Sequence, residues 1–376
     1  MNVDYTMWFP EKRKEFYMSI ITIVGAGMMG SAMSCPATVN GHEVRLVGTC
    51  LDREIIESVR KTHFHPTLHR NLDPAVKAFQ IGELDAALEG CDLVICGVSS
   101  FGVEYFAEEV LPHLKSGTRV LAITKGLRST PDGWLLPFPE YYSSLRSDLH
   151  FMAVGGPCTS FELQDKNQTL VYFCGKDPEI LRETKALFAT EFYHIITTTD
   201  IAGVETAVAM KNAYAMGTAL AIGLSDQEAG VTDDRGIAGK SGTDALDFNP
   251  KYNPQAALFG QSCREMARLT KMMKGDPLLI ASLPGAGDLY VTIFGGRTRR
   301  LGVLLGRGFT YEKAKEVLKG VTLESTVIIT RVAQALRCKA EKGGVDPEKE
   351  FPFLMHLDAI LNKGEQVSIP WNKFEF

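Results

Sequence analysis

Lys211 and Asn212 lie near the middle of a run, Gly203 to Leu224, that is otherwise apolar or small after Glu205. Ala, Met and Leu at that density favour a helix. A helix that is apolar on most of its faces is a buried one. A lysine inside such a helix is costly to bury unless its charge is matched. Burial also lowers its pKa, because desolvation disfavours the charged form. A lysine placed this way can pass protons near neutral pH. The plainer reading is a lysine that snorkels out of a core helix, and this stretch alone leaves both open.

Two other stretches point to anions. Ser19 to Val24 is a β-branched run ending in Gly25-Ala26-Gly27-Met28-Met29-Gly30, followed by helix-forming residues to about Val39 and a second strand pattern over Gly41 to Val47. In this setting Gly25 permits a tight turn, Gly27 lets the backbone approach a pyrophosphate, and Gly30 lets helix and strand pack closely. The helix start presents free N–H groups to the phosphates. A glycine fingerprint placed between strand and helix predicts a dinucleotide site. The acidic residue that would hold a ribose 2′-hydroxyl belongs about 20 residues on. There the chain reads Gly48-Thr49-Cys50-Leu51-Asp52-Arg53. Asp52 is late and is expected to cap the next helix, Arg53 is expected to be solvated, and the coenzyme leans to NAD over NADP. The other stretch is Gly295-Gly296-Arg297-Thr298-Arg299-Arg300. Three arginines at a helix start oppose the dipole, which favours anions there. An anionic ligand would relieve the conflict; a basic surface patch is the alternative.

The elements that must position these residues can be read in outline. Asp92 to Val98 and Thr118 to Thr124 are buried strands, the second running into Lys125-Gly126-Leu127, and Tyr105 to Leu114 is helical between them. Phe151 to Val154, Thr169 to Phe173 and Phe192 to Thr197 extend the sheet. Alternating strands and helices behind a glycine fingerprint indicate a Rossmann-type doubly wound parallel sheet. Ligands bind such sheets outside the carboxyl ends of the strands, and Gly25 to Gly30, Ser99-Ser100, Lys125 and Gly156-Pro157-Cys158 all fall at such ends. From about Ile201 the signals are helical. The expected organisation is an N-terminal extension (1–18), a dinucleotide-binding α/β domain (19–200), an all-α catalytic domain (201–362) and a tail (363–376). Met18 is read as the true start, or residues 1–17 as a peripheral arm. Asp226 to Pro254 is polar and aperiodic and is expected to be a long loop. Helices are expected over Gln255 to Lys274, Tyr311 to Lys319, Glu324 to Lys342 and Pro347 to Leu361. The tail's aromatic residues are expected to dock on the body or on a neighbouring subunit.

Bulk properties exclude several classes. A chain of 376 residues is too long for one small core. A net charge of −5 offers no global basic surface for nucleic acid. The eight cysteines are scattered without a CxxC pair, so they read mostly as small core residues in a reducing compartment. No uninterrupted apolar run reaches membrane-spanning length, and the Lys211-Asn212 pair argues against a span in the run that comes closest. His63, His65 and His69 lack nearby cysteine, are placed in a surface loop, and give no metal site.

Taken together, the blocks IVGAGMMG, NGHEVRLVG, ITKGL, the GP of VGGPC, GVETAVAMKNAYA, PGAGDLYVT and GRTRRLG resemble the NAD(P)-dependent sn-glycerol-3-phosphate dehydrogenase family over roughly Ile20 to Leu361. Lysine followed directly by asparagine in the buried helix is the most discriminating feature; 3-hydroxyacid and ketopantoate enzymes space the two four apart. The resemblance implies reversible hydride transfer between NAD(P)H and dihydroxyacetone phosphate, giving sn-glycerol 3-phosphate for glycerophospholipid synthesis, by a cytoplasmic homodimer. By matching position it implies that Lys211 is the general acid/base, Lys125 orients the ketone, and Asp288 hydrogen-bonds a lysine or the substrate. Asn212, Thr292, Arg297, Thr298, Gly156 and Cys158 would contact substrate, with Arg297 on the phosphate. Gly25, Gly27, Met28, Met29, Gly30, Ser99, Lys125, Arg297 and Glu324 would contact the cofactor. The chain departs from the family at Met29, usually aromatic; at Val98-Ser99-Ser100, for Val-Pro-Ser; at Cys158, for serine; and at Thr298, for asparagine. Some substrate-facing positions therefore differ, leaving another phosphorylated ketose or polyol phosphate as an alternative substrate. A non-catalytic NAD-binding regulator is the alternative from another class, and it predicts loss of the polar constellation.

Overall fold

The computed structural model describes residues 18–237 and 248–374. The extension before Met18, residues 238–247 of the expected 226–254 loop and the last two residues lie outside them. Strands form where β-branched and apolar residues run together. In chain order they are β1 (Ile20–Val24), β2 (Glu43–Val47), β3 (Lys77–Phe79), β4 (Leu93–Cys96), β5 (Arg119–Ala122), β6 (His150–Gly155), β7 (Thr169–Gly175) and β8 (Tyr193–Thr198). They make one eight-stranded sheet in the order β8-β7-β6-β5-β4-β1-β2-β3. Both faces are covered, which is why β4 is continuously apolar and β1 is apolar except for the buried Thr22, whose hydroxyl donates to the Ala87 carbonyl. The sheet departs from the all-parallel expectation at one place: β7 runs antiparallel to β6, while β8 is parallel to β7. The connection from β6 to β7 carries only the five-residue helix Ser160–Gln164, about 7 Å long, against about 20 Å for the six-residue β6 that a parallel crossover would have to run back along. The reading of the sequence also passed over β3, whose three residues give no period, and a small hairpin made by Leu127–Ser129 and Leu135–Pro137.

After β8 the chain becomes helical. Seven helices matter for the site: α1 (Met28–Ala32), which follows the glycine turn, and then α2 (Ile201–Glu228), α3 (Tyr252–Met272), α4 (Asp288–Ile293), α5 (Gly296–Gly306), α6 (Glu324–Glu341) and α7 (Pro352–Lys363). The Asp200 carboxylate accepts the Gly203 N–H at 2.7 Å and so caps α2. α2 has 28 residues, of which 22 are buried. It is the axis around which the helical half packs. The expected Pro347 to Leu361 helix is broken at Phe351, because Pro352 disfavours helical backbone in the residue before it. The expected loop begins later than its polarity suggested. Asp226 is fully buried within α2 and pairs with Arg307, both guanidinium contacts falling on one oxygen at 2.7 and 3.0 Å. The tail docks on the body: Phe374 lies 5.9 Å from the Phe353 ring, centroid to centroid. Of the cysteines, Cys35, Cys96 and Cys174 are buried, Cys50 is exposed and four are half-buried, so fewer are core residues than expected.

α5 crosses α2 at backbone contact. A Cβ on Gly302 would stand 2.2 Å from the Met216 carbonyl oxygen, and one on Gly306 would stand 2.4 Å from that of Leu220. A Cβ on Gly223 would stand 2.2 Å from the Val303 oxygen. Neither backbone can yield without separating the helices. Gly302→Val should therefore lower unfolding free energy by about 2 kcal/mol or more, measured by denaturant titration; an unchanged midpoint would mean that the crossing tolerates side chains.

Candidate active site

The glycine turn has the shape a dinucleotide needs. Gly25 has φ +110°, and a Cβ there would lie 2.6 Å from the Gly97 carbonyl carbon. A Cβ on Gly30 would lie 2.2 Å from the Gly25 oxygen. A Cβ on Gly27, by contrast, meets nothing within 4 Å. Gly25 and Gly30 are thus required by the protein's own packing, whereas Gly27 faces open space in which a pyrophosphate can approach the backbone. Met28 and Met29 are half-buried in the first turn of α1. The turn is clamped from behind. Ala26 donates its N–H to Asp52 Oδ2 at 3.2 Å and its carbonyl accepts from His65 Nε2 at 2.8 Å. His65 Nδ1 in turn accepts the Leu68 N–H, which fixes the Nε2–H tautomer.

Two expectations change here. Asp52 occupies the helix-cap position but makes no capping bond; its carboxylate turns back to Ala26 and to the N–H and hydroxyl of Thr49, both at 2.8 Å. His65 is fully buried, not a surface-loop residue. It belongs to the support of the fingerprint, and burial lowers its proton affinity. Arg53 is exposed, as expected.

At the carboxyl ends of β5 and β6 the polar constellation is assembled around one carboxylate. Asp288 opens α4 after the turn Leu283–Gly287, and its side chain is 1% exposed. Its Oδ2 accepts from Lys125 Nζ at 2.7 Å, and its Oδ1 accepts from Lys211 Nζ. Lys125 also donates to the Gly156 carbonyl at 3.4 Å. Gly156 has φ +135°, a backbone state that glycine favours. Lys211 does not snorkel; its side chain is 12% exposed and ends on Asp288. Burial pushes its pKa down, Asp288 pulls it up, the neighbouring Lys125 cation pushes it down again, and the balance lies at about 8. Burial also opposes the Lys125 cation, but Asp288 outweighs it and holds that lysine above its ordinary value. Lys211 is therefore the member of the pair that gives up its proton first. Cys158 sits within electrostatic reach of both lysines and Asp288, and its thiol is pushed up to about 12, chiefly by burial. It is a neutral, weak donor there.

The remaining predicted residues divide. Asn212 follows Lys211 on α2 and is half-buried. The Thr292 hydroxyl donates to the Asp288 carbonyl of its own helix at 2.6 Å, so it retains only acceptor capacity. Arg297 is the second residue of α5, is exposed, and forms no ion pair among the described residues; Thr298 beside it is buried. Ser99 is exposed at the end of β4, and its neighbour Ser100 donates to Glu324 Oε1 on α6 at 3.2 Å, a bond that ties the helical half to the sheet edge. The hairpin that follows Lys125 is pinned to the same helix: Arg331 donates to the Leu127 carbonyl, and Lys339 lies 4.2 Å from the centre of the Trp134 ring. Sequence reasoning passed over Glu205. It is fully buried on α2, and neither carboxylate oxygen has a hydrogen-bond partner among the described residues. The available signal was an acidic residue in an otherwise apolar helix, six positions before Lys211.

Comparison with known proteins identifies the family. Residues 20–180 match the model of the NAD-dependent glycerol-3-phosphate dehydrogenase N-terminus, and residues 200–371 match that of the C-terminus. An Archaeoglobus fulgidus protein described as an NADP(+)-dependent glycerol-3-phosphate dehydrogenase is 34% identical over 302 residues, covering 80% of this chain and 84% of the relative. A Lactococcus lactis glycerol-3-phosphate dehydrogenase [NAD(P)+] is 30% identical over 334 residues, 87% of each. The crystal structure of the Coxiella burnetii glycerol-3-phosphate dehydrogenase superposes with a TM-score of 0.74 at 21% identity, over 95% of this chain and 97% of that one. A ketopantoate reductase from Ralstonia eutropha reaches only 0.52 at 15% identity, over 92% of this chain and 99% of that one. The two halves that meet at Asp288 are the two halves of one family, and the chain belongs to the NAD(P)-dependent glycerol-3-phosphate dehydrogenases.

Proposed function

We propose that the protein interconverts dihydroxyacetone phosphate and sn-glycerol 3-phosphate with NAD(P)(H), and that Lys211 is its general acid and base. The observation that carries this reading is the single buried carboxylate shared by Lys125 and Lys211 at the carboxyl edge of the sheet. The cofactor supplies or accepts the hydride at C2. The protein's part is to bind, orient and move one proton. In reduction, Lys211 Nζ gives a proton to the C2 oxygen as negative charge develops there; in oxidation it removes that proton. Lys125 stays charged under Asp288 and orients the same oxygen. Asp288 holds both ammonium groups in place. Arg297, with no ion pair among the described residues, presents a planar fork suited to a phosphate at the start of α5, with the buried Thr298 and the N–H groups of that helix start beside it.

Asn212, Thr292, Gly156 and Cys158 complete the substrate wall, Thr292 as an acceptor only. The fingerprint Gly25 to Gly30, with Ser99 and Glu324, would hold the dinucleotide. A homodimer and a cytoplasmic location complete the proposal and rest on the resemblance; among the described residues no helix is long and apolar enough to cross a membrane. A second reading keeps the chemistry and changes the substrate: Cys158 and Thr298 stand where the family has serine and asparagine, which favours a different phosphorylated ketose. The non-catalytic regulator is disfavoured, because a chain released from catalysis has no reason to keep two lysines on one buried carboxylate.

NADH oxidation assayed with dihydroxyacetone phosphate and with larger ketose phosphates separates these readings; no turnover with any of them would overturn the catalytic one. Lys211→Ala should lower kcat by about a hundredfold or more and leave the Kd for NADH near the wild-type value. Arg297→Ala should raise KM for the phosphorylated ketone by about ten- to a hundredfold, because a charge-assisted bond contributes about 1.5–3 kcal/mol. The pH dependence has opposite signs in the two directions. Reduction needs the Lys211 ammonium and should fall as pH rises through about 8, whereas oxidation needs the free amine and should rise through the same value. Rate profiles in both directions that lack these opposed limbs would remove Lys211 from the role.

A further inference from the structure

The buried acid on the catalytic helix is unaccounted for by the reaction. Glu205 is completely enclosed, and both of its carboxylate oxygens lack a hydrogen-bond partner among the described residues. Its helix lays valine side chains directly on the backbone of the strand end that carries the site. A Cβ on Gly155 would stand 2.3 Å from Val204 Cγ1 and 3.0 Å from Val208 Cγ1, the apolar neighbours of Glu205 on α2. The next residue, Gly156, holds Lys125 through its carbonyl. Glu205 therefore lies on the turn of α2 that covers this strand end, within electrostatic reach of Lys125 and six residues before Lys211. An ionised carboxylate enclosed without partners is strongly disfavoured, and a buried carboxyl with no structural bond to make is a functional candidate.

The groups that act on it are few. Lys125 is the cation within electrostatic reach, and it pulls Glu205 toward ionisation. Cys174 on β7 is a thiol whose proton is held tightly, chiefly by burial and then by the nearby Glu205 and Asp200. The Asp200 carboxylate is occupied at 2.7 Å by the N–H groups of Gly203 and Asp276. Against the one cation stands burial, which dominates and pushes Glu205 up to about 8.

We propose that Glu205 is a positioning residue for the lysine pair, held as a neutral acid on the turn of α2 over that strand end so that Asp288 alone supplies negative charge to the two ammonium groups. The proposal rests on Lys211 being the acid and base. With Glu205 neutral, the cluster holds two ammonium groups and one carboxylate, and Lys211 can release its proton. With Glu205 ionised it would hold two of each, and both lysines would keep their protons more firmly. In the wild type, raising the pH ionises Glu205 over the same range in which Lys211 deprotonates. The two titrations oppose one another and draw the transition out toward higher pH.

Two measurements test this. Infrared difference spectra of Glu205→Gln against the wild type, both without ligands at neutral pH, should show a protonated carboxyl C=O band that belongs to Glu205 and gives way to carboxylate bands in alkaline solution. The rate of alcohol oxidation, followed between about pH 7 and 10, should rise in Glu205→Gln at a pH lower by about half a unit and more steeply than in the wild type. Glu205→Leu, neutral but of different shape, should show the same displacement, whereas a merely structural role would lower stability and leave the profile in place. Absence of the neutral carboxyl band at neutral pH, or superimposable profiles for all three proteins, would overturn the proposal. A failure of Lys211→Ala to lose turnover would instead remove the premise, while the infrared result would still decide whether Glu205 is neutral.

Discussion

One carboxylate joins the two halves of this molecule. Asp288 enters from the helical half, Lys125 comes from the end of a sheet strand, and Lys211 comes from the helix that follows the sheet. None of the three could sit at this depth alone. An unpaired carboxylate enclosed in protein would protonate, and an unpaired ammonium would lose its proton or turn to solvent. Two ammonium groups on one carboxylate satisfy both of its oxygens and leave an excess positive charge facing the crevice. Burial first, and that excess second, lower Lys211, while Lys125 stays charged. The same electrostatics that hold the halves together also set apart the proton affinities of two chemically identical side chains.

The geometry around this junction is held by backbones in contact. α5 crosses α2 on glycines, so the helix start that carries Arg297 is fixed relative to Lys211. The fingerprint turn lies against Gly97, and its Ala26 is held from behind by Asp52 and His65. The hairpin after Lys125 is pinned to α6 by Arg331 and Lys339, and Ser100 reaches Glu324 on the same helix. Interiors packed at this density transmit displacement, so a shift of α6 would be felt at Lys125. The site belongs to no single element.

Much of this could be read along the chain, because some residues carry their own explanation. A glycine fingerprint between a β-branched strand and a helix has one economical meaning, and a lysine in the middle of an apolar helix poses a problem that needs a partner. The local patterns of α2 and of the parallel core strands depend on near neighbours, and they were legible for that reason. What escaped depended on groups far apart in the chain. The reversed direction of β7 is the local exception, where the connecting helix is far shorter than the strand it would have to run back along. The burial of Asp226 follows from Arg307, 81 positions away. The buttress role of Asp52 and His65 follows from Ala26, to which nothing in their own stretches points.

By itself the sequence determined the kinds of element, the dinucleotide turn and the presence of a lysine inside an apolar helix, since each is written in consecutive residues obeying a helical, strand or turn rule. Only the tertiary structure decided which carboxylate answers that amine, that Thr292 spends its proton on its own helix, and that Glu205 is sealed off without a partner. Charge matching and desolvation are sums over everything within a few ångströms, and no local pattern records which distant residues will be there.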